Sequence, residues 1–372
     1  MHFTLEAASG AMEAVMAKFL KWMAALGCVA VLAACNDRSG DQPCCYAYSY
    51  DGQHIFGTGE AALADGSASM ARFNNPVNVA VAANGTVFVA DYDNNALRAI
   101  LRNGLVLTVL QRDNFQRPFG LTIASDDTLY VQTDADDQGK RDTTTGTIWK
   151  LDRRTGAVTV VARDLGRPRG IVALPDGRIA MSDLVQNTIS ILDPSTSPPT
   201  VTPLAGMAGQ NGLVNGSGSA ARFDRPYGMK LARDGALLVA DQNNNVIRRV
   251  TLAGEVTTFA GAQGNTPAPA GNADGPVASA SFKAPEALGI FNDTVFVADQ
   301  GNHLVRMIDG GMVTTLAGNG TAGFVDAPGT QAEFYGLEGI SAGPDGKLWI
   351  ADGTAGSDTP VPYNRVRYVP IP

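Results

Sequence analysis

Short runs in which apolar and polar residues alternate recur along most of the chain, each about five residues long and each bounded by a turn-forming pair. Val87-Phe88-Val89-Ala90-Asp91 follows Asn84-Gly85, and Asp176-Gly177, Asp234-Gly235 and Asp345-Gly346 stand at the equivalent place later on. A polar loop comes next, then a third run (Val246–Val250, 304–308), a glycine turn, and a fourth (Glu255–Ala260, Met312–Ala317). Period-two runs joined by such turns predict four antiparallel strands per unit.

The unit repeats. A Phe, once a Leu, stands three residues ahead of a Pro at Phe73/Pro76, Phe115/Pro118, Leu165/Pro168, Phe223/Pro226 and Phe282/Pro285; a sixth copy has Phe334 with Leu337 in place of Pro. The spacings of 42, 50, 58, 59 and 52 residues suit one four-stranded propeller blade and exceed the period of most helical solenoids. The chain stops just after the third strand of the sixth unit (364–369), and residues 53–59 align with the fourth strand and the turn after it at 314–320. The expected fold is therefore all-β: a six-bladed β-propeller of four-stranded antiparallel blades, the last completed by the N-terminal strand, with the outer blade edges left open.

Within residues 51–372, Val239-Ala240-Asp241-Gln242-Asn243-Asn244-Asn245-Val246-Ile247-Arg248 and Val297-Ala298-Asp299-Gln300-Gly301-Asn302-His303-Leu304-Val305-Arg306 resemble NHL repeats. Asp91/Arg98, Asp241/Arg248, Asp299/Arg306 and, across an insertion, Asp352/Arg367 recur as pairs. A carboxylate ending the second strand can meet a guanidinium from the third. Because the pair repeats from blade to blade, it reads as structure rather than catalysis. Asp65/Phe73, Asn215/Phe223, Asp274/Phe282 and Asp326/Phe334, at one fixed spacing in four inter-blade links, read as a structural staple. Blades two and three depart from the pattern with Thr133/Trp149 and Asp183/Ser190.

Composition agrees with strands and turns: 42 Gly and 20 Pro make one residue in six. The net charge of -8 offers no basic surplus for phosphates, so nucleic-acid binding is not expected. All four Cys precede position 46, so the repeats have neither a disulfide framework nor a cysteine zinc cage.

Lys18 and Lys21 precede an uncharged stretch, 22–34, that ends in Leu32-Ala33-Ala34-Cys35. This has the shape of a signal peptide and resembles the bacterial lipobox, with Met16 the expected start. The resemblance implies cleavage before Cys35, acylation of Cys35, and a cell-envelope location, on the periplasmic or extracellular face of a bacterial membrane. The expected division is a signal peptide over 1–34, a tether over 35–50 and the propeller over 51–372. The vicinal Cys44 and Cys45 have no assigned role.

The long links gather at one end of the propeller, the top. There the residue after each Pro stands at the channel mouth: Val77, Phe119, Arg169, Tyr227, Glu286 and, in blade six, Glu338. These positions differ where structural positions repeat, so Arg169, Tyr227, Glu286, Glu338 and Phe119 are candidate ligand-binding residues. The alternative is a ring closed by its own ion pairs. Asp134, Asp136 and Asp142 faintly resemble an EF-hand calcium loop, although Thr145 stands where Glu belongs. Of the histidines only His54 and His303 follow the leader, and neither is placed like a general base. The expectation is a monomeric binding module for a protein, glycan or small molecule, without catalytic residues and without a firm cofactor beyond a divalent cation such as calcium. The alternative resembles gluconolactonase-like propellers, in which Glu286 and Glu338 would hold a metal that acts on lactones or esters.

Overall fold

The computed structural model describes residues 55–262, 267–354 and 362–372. The expected leader and tether, with Cys35, Cys44, Cys45 and also His54, lie outside the described residues. Six sheets follow one another, five of them with their four blade strands side by side in chain order. The first strands of neighbouring blades pack together, and that of blade six (Leu337–Ala342) packs on that of blade one (Pro76–Val81). The sheets thus close into a six-bladed β-propeller. Ile55–Gly59 supplies the fourth strand of blade six, with Ile55 opposite Arg367, Phe56 opposite Val366 and Gly59 opposite Asn364.

Blades bury both faces against their neighbours, which is why Val87–Asp91 is buried throughout rather than on alternate residues. Phe73, Val79, Val89, Trp349 and Ala351 from blades one and six share one core; Leu238, Ala240, Phe282 and Val297 join blades four and five. Each fully buried Phe of this kind contributes roughly 1.5–3 kcal/mol.

The Asp/Arg pair and the staple turn out to be parts of one device. In blade four the buried Arg248 donates to Asp241 Oδ2 at 2.8 Å, to Asn215 Oδ1 at 2.8 Å and to the carbonyls of Arg222 and Val214 at 2.9 and 3.0 Å. Its guanidinium lies over the Phe223 ring, 5.1 Å from the centroid. Arg98, Arg306 and Arg367 repeat the arrangement with Asp65, Asp274 and Asp326. Meanwhile Asp241 Oδ1 accepts the backbone N–H of Asp224, so the pair clamps the incoming link as well as the blade. Blade two replaces the ions with a neutral bond, Trp149 Nε1 to Thr133 Oγ1 at 2.8 Å.

The outer edges are less open than the strand count suggests. The incoming link pairs with its own blade's outermost strand, Gly216–Ser217 with Val256 and Glu255, and Gly275–Pro276 with Val313 and Met312. A single bridge from Gly66 to Val106 does the same in blade one. Covered edges resist strand addition from other molecules.

Removing one member of a buried ion pair strands the other. Arg248→Met should cost about 3–5 kcal/mol of unfolding free energy, read as a large drop in denaturant midpoint. A change under about 1 kcal/mol would show that Asp241 needs no counter-charge.

Candidate functional site

In all six blades the pairing of first to second strand slips by one residue directly after the Pro position: between Pro76 and Asn78, Pro118 and Leu121, Pro168 and Gly170, Pro226 and Met229, Pro285 and Ala287, and Leu337 and Gly339. A bulge of one extra residue re-aims a side chain out of the ladder. It falls on the predicted mouth positions. Val77, Phe119, Arg169, Tyr227 and Glu338 line a recess of about 280 Å³. Glu286 does not reach its wall. It is buried behind it, accepting a 2.6 Å hydrogen bond from Gln242 Nε2, while Gln242 Oε1 accepts one from Arg225 Nε at 2.8 Å.

Three further arginines line the recess: Arg117, Arg167 and Arg225. They are the residues immediately before Pro118, Pro168 and Pro226. Arg117 and Arg225 have left-handed backbones, with φ of 54° at each, as does Asn75 at the same place in blade one with φ of 56°. The repeated Asn of the preceding blade holds this conformation. Asn95 Oδ1 accepts the N–H of Arg117 at 2.9 Å, and Asn187 Oδ1 that of Arg225 at 2.8 Å. His303 stands at this Asn position, its backbone left-handed with φ of 55°.

Arg169 is paired, but neither with Glu286 nor with Glu338. Its partner is Asp134, which receives both of its terminal nitrogens, the Arg169 Nη2 bond being 3.0 Å, and also Arg167 Nη2 at 3.1 Å and the Tyr92 hydroxyl at 2.7 Å. Burial alone would raise the Asp134 carboxyl; Arg169, Tyr92 and Arg167 outweigh it and hold the group well below the usual carboxylate range. The calcium-loop expectation meets a different arrangement. Asp134 turns into the mouth, Asp136 Oδ1 accepts the N–H groups of Gln138 and Lys140 in its own loop, and Asp142 takes Thr144 and Lys140. The three carboxylates therefore serve separate partners. Among the described residues no three His, Cys, Asp or Glu side chains stand together as a metal-binding group.

Below the mouth the first strands crowd together. A Cβ on Gly170 would come within 2.5 Å of the Tyr227 carbonyl, and one on Gly228 within 2.5 Å of that of Glu286. A second recess, about 300 Å³, lies at the other ends of the first strands, lined by Lys230, Asn292 and Ser341 among others. Burial lowers the Lys230 ammonium there to about 8.

No family model matches the chain. It is 32% identical over 127 residues to NHL repeat-containing protein 2 of Bos taurus, a match spanning 31% of this chain and 17% of that protein. The chain thus spans less than a fifth of the curated relative's length. An auxiliary nutrient binding protein of Bacteroides thetaiotaomicron superposes with a TM-score of 0.64 at 17% identity, covering 84% of this chain and 75% of that one. A second protein of that organism, of unknown function, gives 0.65 at 20% identity, covering 85% and 74%. The structural likeness is one of fold. This chain is a six-bladed β-propeller, and part of it is similar in sequence to an NHL repeat-containing protein.

The propeller's mouth does not fit the metal that the gluconolactonase-like resemblance implied. Glu286 lies behind the wall, near Glu338 but bonded to Gln242, the other carboxylate on the recess lining is that of Asp93, and four guanidinium groups share the opening.

The two buried carboxyls should respond to pH with opposite signs. Asp134 is depressed, so its contribution is present above its ordinary 3.8 and fades as pH falls through it. Asp134→Asn should cost about 3–5 kcal/mol at pH 7, with the gap to wild type closing below pH 4. Burial and the neighbouring Glu338 push Glu286 well above its ordinary 4.5, so its ionised form burdens the fold as pH rises. Glu286→Gln should gain on wild type as pH rises above 4.5. Thermal melts of both variants from pH 3 to 8 read the two slopes; equal slopes would refute the assignment.

Proposed function

We propose that the chain is a binding module that takes a small molecule, or the terminal unit of a glycan, in the mouth of its propeller, while Cys35 tethers it to the outer face of a bacterial envelope membrane. The observation that carries the reading is the mouth itself. Six equivalent, bulged positions present Val, Phe, Arg, Tyr and two Glu, where positions that serve the fold repeat their residue type. A single unsymmetrical ligand in a pseudo-symmetric ring requires such variation. A concave recess of about 280 Å³ suits a molecule of sugar size better than a flat protein surface. The fold likeness to an auxiliary nutrient binding protein agrees with a binding role. The tether rests on Leu32-Ala33-Ala34-Cys35 after an uncharged stretch.

Leu184 lines the recess from blade three. Leu184→Trp would fill it. The metabolites that copurify with the full chain, released by heat and identified by mass spectrometry, should be lost in this variant while the thermal midpoint stays close to wild type. Retention of the same compounds by folded Leu184→Trp would place binding elsewhere. For the tether, a fatty-acid probe should label wild type and spare Cys35→Ser; equal labelling of both would remove the anchor.

A further inference from the structure

The recess carries charge of a sign opposite to that of the chain as a whole. Net charge is -8, yet the mouth is lined by Arg117, Arg167, Arg169 and Arg225 against Asp93 and Glu338. Local pairing sharpens the contrast. Asp134 compensates only one of the two guanidinium groups that contact it, those of Arg169 and Arg167. Arg225 is exposed, touches no carboxylate, and donates through Nε to the neutral amide of Gln242. Its two terminal nitrogens have no protein partner among the described residues. Arg117 is the better neutralised, 3.7 Å from Asp93.

These side chains are also placed at a conformational cost. The residue before the Pro has φ of 54° in Arg117 and Arg225, a region that glycine and asparagine occupy more readily than arginine. Blade six has Gly336 at this place and blade one has Asn75, so the fold works with the easier residues. Arginine there, in blades two and four, with Arg167 between them in blade three, is not a requirement of the propeller. It forms a crescent over half of the mouth. The other half offers Asn75, Thr354 and Glu338, groups suited to hydroxyls. Three aromatic rings packed edge to face also line the recess, Tyr92 on Phe119 at 6.0 Å and Phe119 on Tyr227 at 5.6 Å.

We infer that the ligand of this mouth is a sugar-sized acid, whose carboxylate or phosphate oxygens are taken by the guanidinium ends of Arg167 and Arg225 while its hydroxyls face Asn75, Thr354 and Glu338. The inference rests on the binding role proposed above and names the chemistry of that ligand. Guanidinium groups bind carboxylate and phosphate through paired N–H donors, a geometry that a lysine would not provide. Because the groups are partly open to solvent, the attraction is screened by salt.

Calorimetric titration of the purified full chain at low ionic strength with glucuronate, glucose 6-phosphate and glucose tests it. At least one acid should bind at least tenfold more tightly than glucose, and added salt should weaken it. The preferred acid tells carboxylate from phosphate. Arg167→Gln and Arg225→Gln should each weaken that acid tenfold or more, Arg225→Gln at an unchanged thermal midpoint, whereas Arg233→Gln, an exposed arginine paired with Asp293 away from the mouth, should not. Absence of binding by both acids, glucose binding as tightly as they do, or equal affinity in wild type and the Arg167→Gln/Arg225→Gln double variant would each overturn the inference. Glucose preferred by wild type and lost in Leu184→Trp would overturn the acid but keep the mouth. Acids bound equally by wild type and Leu184→Trp would overturn the mouth as well.

Discussion

A guanidinium group with no water around it must find nearly all of its hydrogen bonds within the protein, and this requirement, met four times, organises the propeller. Arg98, Arg248, Arg306 and Arg367 are almost wholly buried. To hold one, a blade needs a carboxylate at the end of its second strand, an acidic or amide residue in the incoming link, two link carbonyls and an aromatic face. Each partner is thereby fixed in space. The link cannot drift because its carbonyls are acceptors, and the blade cannot slide because its carboxylate is shared between the arginine and the link's own N–H. The satisfaction is incomplete: among the described residues Nε of Arg98, Arg248 and Arg306 meets no acceptor. The same omission in three blades marks it as a property of the device.

That device was legible in the residues because its members recur at fixed spacing. Asp241 and Arg248 lie seven apart, as do Asp91 and Arg98, and the link residue and its Phe lie eight apart in four copies. Ring closure was legible too, since residues 53–59 carry the letters of a fourth strand. The mouth was legible only in outline. Choosing the residue after each Pro found five of the lining side chains. A one-residue bulge, however, is a relation between two strands, and no single strand announces it.

What escaped was information that lies one residue from a repeated position. Arg117, Arg167 and Arg225 precede the Pro that marks each repeat, so the motif itself drew attention past them. Asp134 follows Thr133, the residue standing where other blades have the clamping Asp. Read as the start of an acidic loop, it suggested calcium; read as the end of a strand, it belongs to the ring formed by Tyr92, Leu184 and Gln242 in other blades. The loop after it is held by its own backbone bonds and makes no claim on the Asp134 side chain. Glu286 shows the converse. Its position was correct, but the neighbouring Gln242 stands between it and Arg225.

The closing strand also sets an order of events. Of all the strands in the ring, Ile55–Gly59 is synthesised first, yet its partner Asn364–Pro370 is synthesised last, and their side-chain bond from Asn364 to the Gly59 carbonyl joins residues 305 apart. Blades one to five can form as local hairpins while the chain is still growing, because their contacts are short in sequence. The sixth cannot. Until the final residues are made, the first strand lacks its partner, and the packing of Leu337–Ala342 on Pro76–Val81 is the contact that can hold the innermost strands in a circle. The sixth blade is therefore the one whose completion must wait for both ends of the ring-forming chain, so its last ladder is a contact of the longest sequence separation in the molecule.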